Sequence, residues 1–316
     1  VKISVIIPVK NRASLLIHTL DCILGQSKKA YEIIVVDDAS SDNLPQVIEA
    51  YQERVSFVKC SGSGPGAARN TGMRIATGDA IQFFDSDDLM TSNKLEVQAK
   101  LLEDNKADLV YGPWVKAAYE KGGWKQMDVI MQFYPLNKNR LADFILEGWC
   151  NITQSALFRR ELLEKVGFWR EDIITHEDYE YWFRVGLNTH KFVHENKTCV
   201  IYRQHKNQVT DQQVANKSRW MDGIKAMQMI FNNINYRPSL HSLWLFKGRR
   251  YLAEMGYVEK FGNDVQLDTN LYKEIFSFYF KLNRKLTTVK GTGWQKMHGV
   301  YPISKQFETY IKLLCN

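Results

Sequence analysis

Cysteine is scarce in this chain. Five residues, Cys22, Cys60, Cys150, Cys199 and Cys315, are odd in number and scattered, which excludes a disulfide framework or a compact zinc motif and fits a reducing compartment. No run of about eighteen apolar residues occurs, so a membrane-spanning helix is not expected. The glycines make neither GxGxxG after the first strand nor a loop ending in GKS or GKT, so neither a dinucleotide fingerprint nor a P-loop is present. Internal repeats and low-complexity tracts are absent. The opening VKISVIIPVK turns polar too soon for a secretory signal and reads as a first strand.

What is there describes a folded body with an uneven charge distribution. At 316 residues the chain can bury a large core as one big domain or two smaller ones, and 45% hydrophobic with 24% charged residues is ordinary for a globular protein. Residues 236–316 carry 13 Lys or Arg against 6 Asp or Glu, which accounts for the whole net charge of +7. The first 235 residues are therefore neutral, and the basic final segment is either a solvated helical region or a surface that meets something anionic.

Residues 3–9 (ISVIIPV) and 31–36 (YEIIVV) are continuous apolar runs rich in β-branched side chains, separated by a helix-length segment. A shorter strand at 55–58 follows a helix at about 44–51. Such strands imply a parallel sheet covered on both faces, with ligands bound at the loops beyond the strand C-terminal ends. SGSGPGAARNTG, residues 61–72, reads as a glycine-rich turn before a helix over 67–76 with Arg69 in its first turn, a place that suits an anion or serves as a plain cap. Beyond a helix at 93–104, residues 115–129 read as antiparallel strands, 139–147 as a helix, 152–158 as a strand, and 160–166 as a short helix ending at Gly167. The pattern has become a mixed sheet. Residues 191–203 read as a strand that delivers Arg203 and His205 to its exposed end. Helices are expected at 212–234, 240–256 and 268–284, with the break between the first two at 235–238.

Two acidic clusters carry the chemistry. DAIQFFDSDD, residues 79–88, is a buried strand around Ile81, Phe83 and Phe84 that ends in Asp85, Asp87 and Asp88. Three carboxylates so close repel one another unless a cation or hydrogen-bond donors offset the charge, and carboxylate oxygens favour Mg²⁺ or Mn²⁺. The competing reading is an Asp-rich turn that caps a helix after Asp88. HEDYEYWFRVG, residues 176–186, starts a helix with Glu177 and Asp178 in its first turn, as catalytic acids or as caps. Trp114, Trp124 and Trp149 are candidates for stacking on a ring-shaped ligand, or for the core.

ISVIIPVKNR, EIIVVDDASSD, GPGAARNTG, GDAIQFFDSDD, HEDYEYWFR and YRQH, in that order over residues 1–210, resemble the inverting nucleotide-sugar glycosyltransferases of family 2. The resemblance implies an α/β GT-A fold: a Rossmann-like mixed central sheet flanked by helices, with residues 1–210 catalytic and 211–316 a helical C-terminal extension. It implies that the Pro8, Asn11 and Arg12 loop lies against the donor nucleotide, that Asp38 or Asp37 receives its base, and that Arg69 flanks it. Asp85 and Asp87 match the DXD motif, with Asp85 touching ribose or sharing the metal, and His205 closing the metal site; Asp88 is either a further neighbour of the ion or a cap. In the Glu177 and Asp178 pair, Asp178 would be the catalytic base. The cofactor would be Mn²⁺ or Mg²⁺, the donor a UDP sugar, and the acceptor a glycan or lipid-linked hydroxyl in cell-surface polysaccharide synthesis.

Two other readings compete: a nucleotide-sugar-binding partner without catalysis, and a sugar nucleotidyltransferase. The second would want glycines in the first loop, which has Lys10 and Arg12 but none. Nucleic-acid binding lacks a recognisable motif. Residues 271–286, LYKEIFSFYFKLNRKL, are a helix packed on the body or one resting on an anionic membrane, so the expected place is the cytoplasm, with peripheral contact at the inner face of the cell membrane.

Overall fold

The architecture was taken from a computed structural model that describes residues 1–120, 123–131, 140–149, 151–205, 217–262 and 300–301. The first half alternates strand and helix: β1 (Ile3–Val9), α1 (Ala13–Leu24), β2 (Glu32–Asp37), α2 (Leu44–Glu49), β3 (Ser56–Lys59), α3 (Gly64–Ile75) and β4 (Ala80–Phe83). β1 pairs in parallel with β2 and β4, and β2 with β3. Their C-terminal ends therefore open on one edge, and the loops after β1, β2, β3 and β4 lie side by side there.

Period-2 alternation places both faces of these strands in apolar surroundings. In β1 and β2, Ile6, Ile34 and Val36 face one core, while Val5, Ile7, Ile33 and Val35 face the other. α3 comes close to β1 because residue 72 is glycine: a Cβ there would lie 2.3 Å from the Ile6 side chain.

Beyond β4 the chain forms β5 (Leu89–Met90), α4 (Lys94–Asp104), β6 (Leu109–Tyr111), β7 (Trp114–Glu120), β8 (Gly123–Met131), α5 (Leu141–Leu146), β9 (Ala156–Arg159), α6 (Arg160–Val166), α7 (Glu177–Asn188), β10 (Phe192–His194) and β11 (Val200–Gln204). Helices α8 (Lys217–Asn232) and α9 (Leu240–Phe261) and a short β12 (Val300–Tyr301) follow. The large sheet runs β10-β6-β9-β4-β1-β2-β3, with β9 antiparallel to both β4 and β6, and a second sheet runs β12-β8-β7-β11-β5. The mixed sheet expected from the sequence is present. α8 and α9 add Ile230 and Phe246 to the core that α5 and α7 share.

Several local expectations are corrected. α3 begins at Gly64 with Pro65 in its first turn, so Arg69 stands in the second turn. Residues 152–158 are not one strand; a buried 3₁₀ turn at Thr153–Ser155 precedes β9. Asp88 caps no helix, because β5 intervenes and α4 starts at Lys94 behind Asn93. Residues 191–203 form two short strands, and Arg203 is buried rather than displayed at an exposed end. The expected helix at 268–284, including the basic stretch 271–286, lies outside the described residues.

Candidate active site

The acidic loop leaves β4 at Phe84, whose ring is fully buried, and the next four residues are fastened from three sides. From α1, Thr19 donates its hydroxyl to the Ser86 and Asp88 carbonyls at 3.0 Å each. From β11, the Arg203 guanidinium donates to the Asp87 and Leu15 carbonyls, and its amide donates to Asp88 Oδ1 at 3.0 Å. From the 3₁₀ turn, Gln154 Nε2 donates to Asp85 Oδ2 at 2.7 Å and Asp88 Oδ2 at 2.5 Å. Sequence reading missed Gln154 and Thr19. An apolar segment and an ordinary helix gave no sign of them, although Arg203 stood within a quoted motif.

Held this way, Asp85, Asp87 and Asp88 offer carboxylate oxygens that all lie within 4.8 Å of one another. Burial raises the pKa of Asp88 well above the usual carboxylate range, and its charged neighbours Asp87 and Asp85 push the same way. Asp85 is raised by burial too, and Arg69 partly offsets this. Three hard oxygen donors under mutual repulsion fit a divalent ion of the Mg²⁺ or Mn²⁺ type. His205 Nε2 is 3.0 Å from Asp87 Oδ2, and Arg12 Nε is 3.6 Å from that oxygen, so both sequence-selected residues meet the loop.

Arg69 joins the two acidic clusters. It is buried, donating Nη2 to Asp85 Oδ1 at 3.1 Å and Nη1 to Glu177 Oε1 at 2.8 Å, with its guanidinium 4.6 Å from the Trp169 ring centre. Breaking such a buried, hydrogen-bonded pair by removing one partner costs about 3–5 kcal/mol. Glu177 is thus tied to Arg69. Asp178, next in the first turn of α7, accepts from the amide of Tyr179 at 2.7 Å. Burial raises Glu177 and Asp178 above the ordinary range, with Arg69 pulling both back.

A cavity of about 970 Å³ is lined by Asp85, Asp87, Glu177 and Asp178, together with Pro8, Arg12, Asp38 and Arg69. Asp38 Oδ2 accepts from Lys10 Nζ at 3.2 Å and from the Gly64 amide at 3.1 Å, while Oδ1 is buried without a partner among the described residues. The first amide of α3 is therefore taken by Asp38 and is not free for an anion. Asp37 and Asn11 do not line the cavity. Asp37 Oδ1 accepts from the Ser40 amide, and Asn11 bonds Ser40 and Ser41 reciprocally, stitching the β1 loop to the β2 loop. Of the tryptophans, Trp114 lines the cavity, Trp149 packs edge-on against Tyr111 and Trp182 in the core, and the Trp124 side chain lies outside what is described.

Residues 4–167, more than half of the chain, match the sequence profile of Glycosyl transferase family 2. The chain belongs to glycosyl transferase family 2. An uncharacterized glycosyltransferase of Rickettsia felis is 40% identical over 106 residues, a match that spans 33% of this chain and 18% of that longer protein. Among solved structures, Staphylococcus aureus TarS 1-349 in complex with UDP-GlcNAc superposes with a TM-score of 0.61 at 19% identity, covering 87% of this chain and 78% of that one. The mannosyltransferase PcManGT of Pyrobaculum calidifontis, in complex with GDP-Man and Mn²⁺, gives 0.58 at 20% identity, covering 94% and 84%. These likenesses establish the GT-A fold, as the sequence led one to expect. No helix among the described residues is long and apolar enough to cross a membrane.

Proposed function

We propose that this protein transfers a sugar from a nucleoside-diphosphate sugar, a UDP sugar in the first instance, to a hydroxyl of a glycan or lipid-linked acceptor in cell-surface polysaccharide synthesis. The observation that carries this reading is the bridge Asp85–Arg69–Glu177, which fixes the acidic loop and the first turn of α7 on one cavity. Asp85, Asp87 and Asp88 would hold Mn²⁺ or Mg²⁺, with His205 steadying Asp87. When bound, such an ion supplies positive charge against the negative charge that grows on the departing diphosphate. Asp38 Oδ1 supports a place for the nucleotide base, since a buried carboxylate oxygen with no donor among the described residues is well suited to accept a ring N–H.

Asp178 takes the proton of the acceptor hydroxyl as its oxygen attacks the anomeric carbon and the bond from that carbon to the diphosphate breaks. Asp178 as the single base, with Glu177 tied to Arg69, fits one displacement with inversion. Glu177 acts through Arg69, orienting Asp85. The fold relatives in complex with UDP-GlcNAc and with GDP-Man and Mn²⁺ support the donor class.

Calorimetric titration with UDP, and with GDP in parallel, tests this. Binding should require Mn²⁺ or Mg²⁺ and weaken at least about tenfold on EDTA treatment or in Asp87→Ala. Tight binding indifferent to metal, or no binding of either nucleotide, would defeat the proposal. Residues 271–286 carry the proposed membrane contact at the cytoplasmic face; co-sedimentation of the full chain with anionic vesicles but not neutral ones is the expected result.

A further inference from the structure

Gln154 reaches Asp85 and Asp88 from the 3₁₀ turn at Thr153–Ser155, and that turn is itself fastened by buried residues that do not line the cavity. Gln82 on β4 donates Nε2 to the Gln154 carbonyl at 3.0 Å and to the Phe83 carbonyl at 2.7 Å. Gln98 on α4 donates Nε2 to the Ser155 carbonyl at 3.0 Å and to Glu195 Oε1 at 3.2 Å. The Gly112 amide adds a second bond to that Ser155 carbonyl, at 3.2 Å. Packing there is tight, since a Cβ at residue 112 would lie 2.3 Å from Glu195 Oε1.

Both glutamines turn their NH₂ groups to the 3₁₀ turn because Lys94 takes their oxygens. Buried at the start of α4, it donates Nζ to Gln82 Oε1 at 2.5 Å and to Gln98 Oε1 at 2.9 Å. An ammonium has only donors, and even a neutral lysine amine keeps two N–H bonds, one for each oxygen. Reversed amides would set NH₂ against Nζ and oxygen against a carbonyl, leaving buried polar groups unpaired. A methionine at 94 would fill similar space without burying a charge; what it lacks is the two donors.

We propose that Lys94 is a positioning residue for the acidic loop: by orienting the Gln82 and Gln98 amides it locks the turn that aims Gln154 at Asp85 and Asp88, and so sets how tightly the loop holds a divalent ion with its nucleotide. This rests on the donor reading of the cavity. The hydrogen bonds of Lys94 run to Gln82 and Gln98, neither of which lines the cavity, so its effect on binding passes through those amides. Loss of its donors frees both amides to rotate, and the turn above them loses its fixed register with β4.

Calorimetric titration of the full chain with UDP at a fixed Mn²⁺ concentration, or with GDP where UDP does not bind, tests this in wild type, Lys94→Met, Gln154→Leu and the double variant. Lys94→Met, shown folded by circular dichroism, should weaken Mn²⁺-dependent nucleotide binding by about three- to tenfold, and should add no further loss on the Gln154→Leu background. A lysine that only supports the fold would lower the unfolding midpoint and leave the affinity of the folded protein unchanged, a result that overturns the proposal. An equal further loss on the Gln154→Leu background overturns it too, since the effect would then bypass Gln154. Gln82→Leu removes the same link and carries the same two outcomes should Lys94→Met fail to fold. Failure of both nucleotides to bind wild type overturns the donor reading, and the positioning role with it.

Discussion

Asp178 and Gln154 show how a residue's chemistry follows from what surrounds it. Burial raises Asp178 above the ordinary aspartate value of about 3.9, and the base proposed for it works only when ionised. Transfer should therefore fall as pH drops through a midpoint above that value. Asp178→Asn should lower the rate by about 10²–10⁴ and abolish that acid limb, with nucleotide and Mn²⁺ affinity near wild type in calorimetry. A parallel loss of nucleotide affinity would give the residue a structural part instead. Gln154 supplies donors to two carboxylates at once. Gln154→Leu should destabilise the fold by about 1–3 kcal/mol in chemical denaturation and also weaken Mn²⁺-dependent nucleotide binding. Unchanged binding would mean that Arg203 and Thr19 suffice to hold the loop.

Among the elements, α4 carries a consequence at some distance from the cavity. Its first residue, Lys94, is buried and donates Nζ to Gln82 Oε1 at 2.5 Å on β4 and to Gln98 Oε1 at 2.9 Å one turn on. Burial pushes the ammonium down to about 7, against the pull of Glu195. A lysine lowered in the folded state holds fewer protons than its unfolded counterpart between about pH 7 and the unperturbed value near 10.4. Stability should therefore rise with pH across that window, by up to about 1.4 kcal/mol per pH unit from this group, and stay level with respect to it below pH 7. Comparing denaturation of wild type and Lys94→Met across the window isolates the slope, and identical pH dependences would show that Lys94 stays charged in the fold. The periodicity of residues 94–104 announced a helix. Nothing in it announced that the lysine pointed inward, because burial of a charge depends on amide acceptors contributed by β4 and by the next turn.

For the whole molecule, the two cores on either side of the large sheet hold four strand-end loops in fixed relation, so a ligand that bridges those loops should stabilise the entire chain. UDP with Mn²⁺ at about one hundred times its dissociation constant should contribute about 2.7 kcal/mol, read as a rise of several degrees in the unfolding midpoint that vanishes with EDTA. A rise with the metal alone, unaffected by nucleotide, would leave the ion as a purely structural clamp. The sequence by itself determined the strands, the acidic turns that end them and the family, since β-branched runs, their spacing and the order of six motifs are local properties. It also marked Asp87, Asp178, Arg69 and His205, whose chemistry is declared by residue type within a motif. Only the tertiary structure decided that Arg69 bridges Asp85 and Glu177 and that Gln154 and Arg203 secure the acidic loop. It alone turned Asp37 and Asn11 away from the cavity and brought Arg219 and Arg249 to it. Those facts depend on contacts between residues more than a hundred positions apart, and on which hydrogen bonds remain open once the backbone is packed.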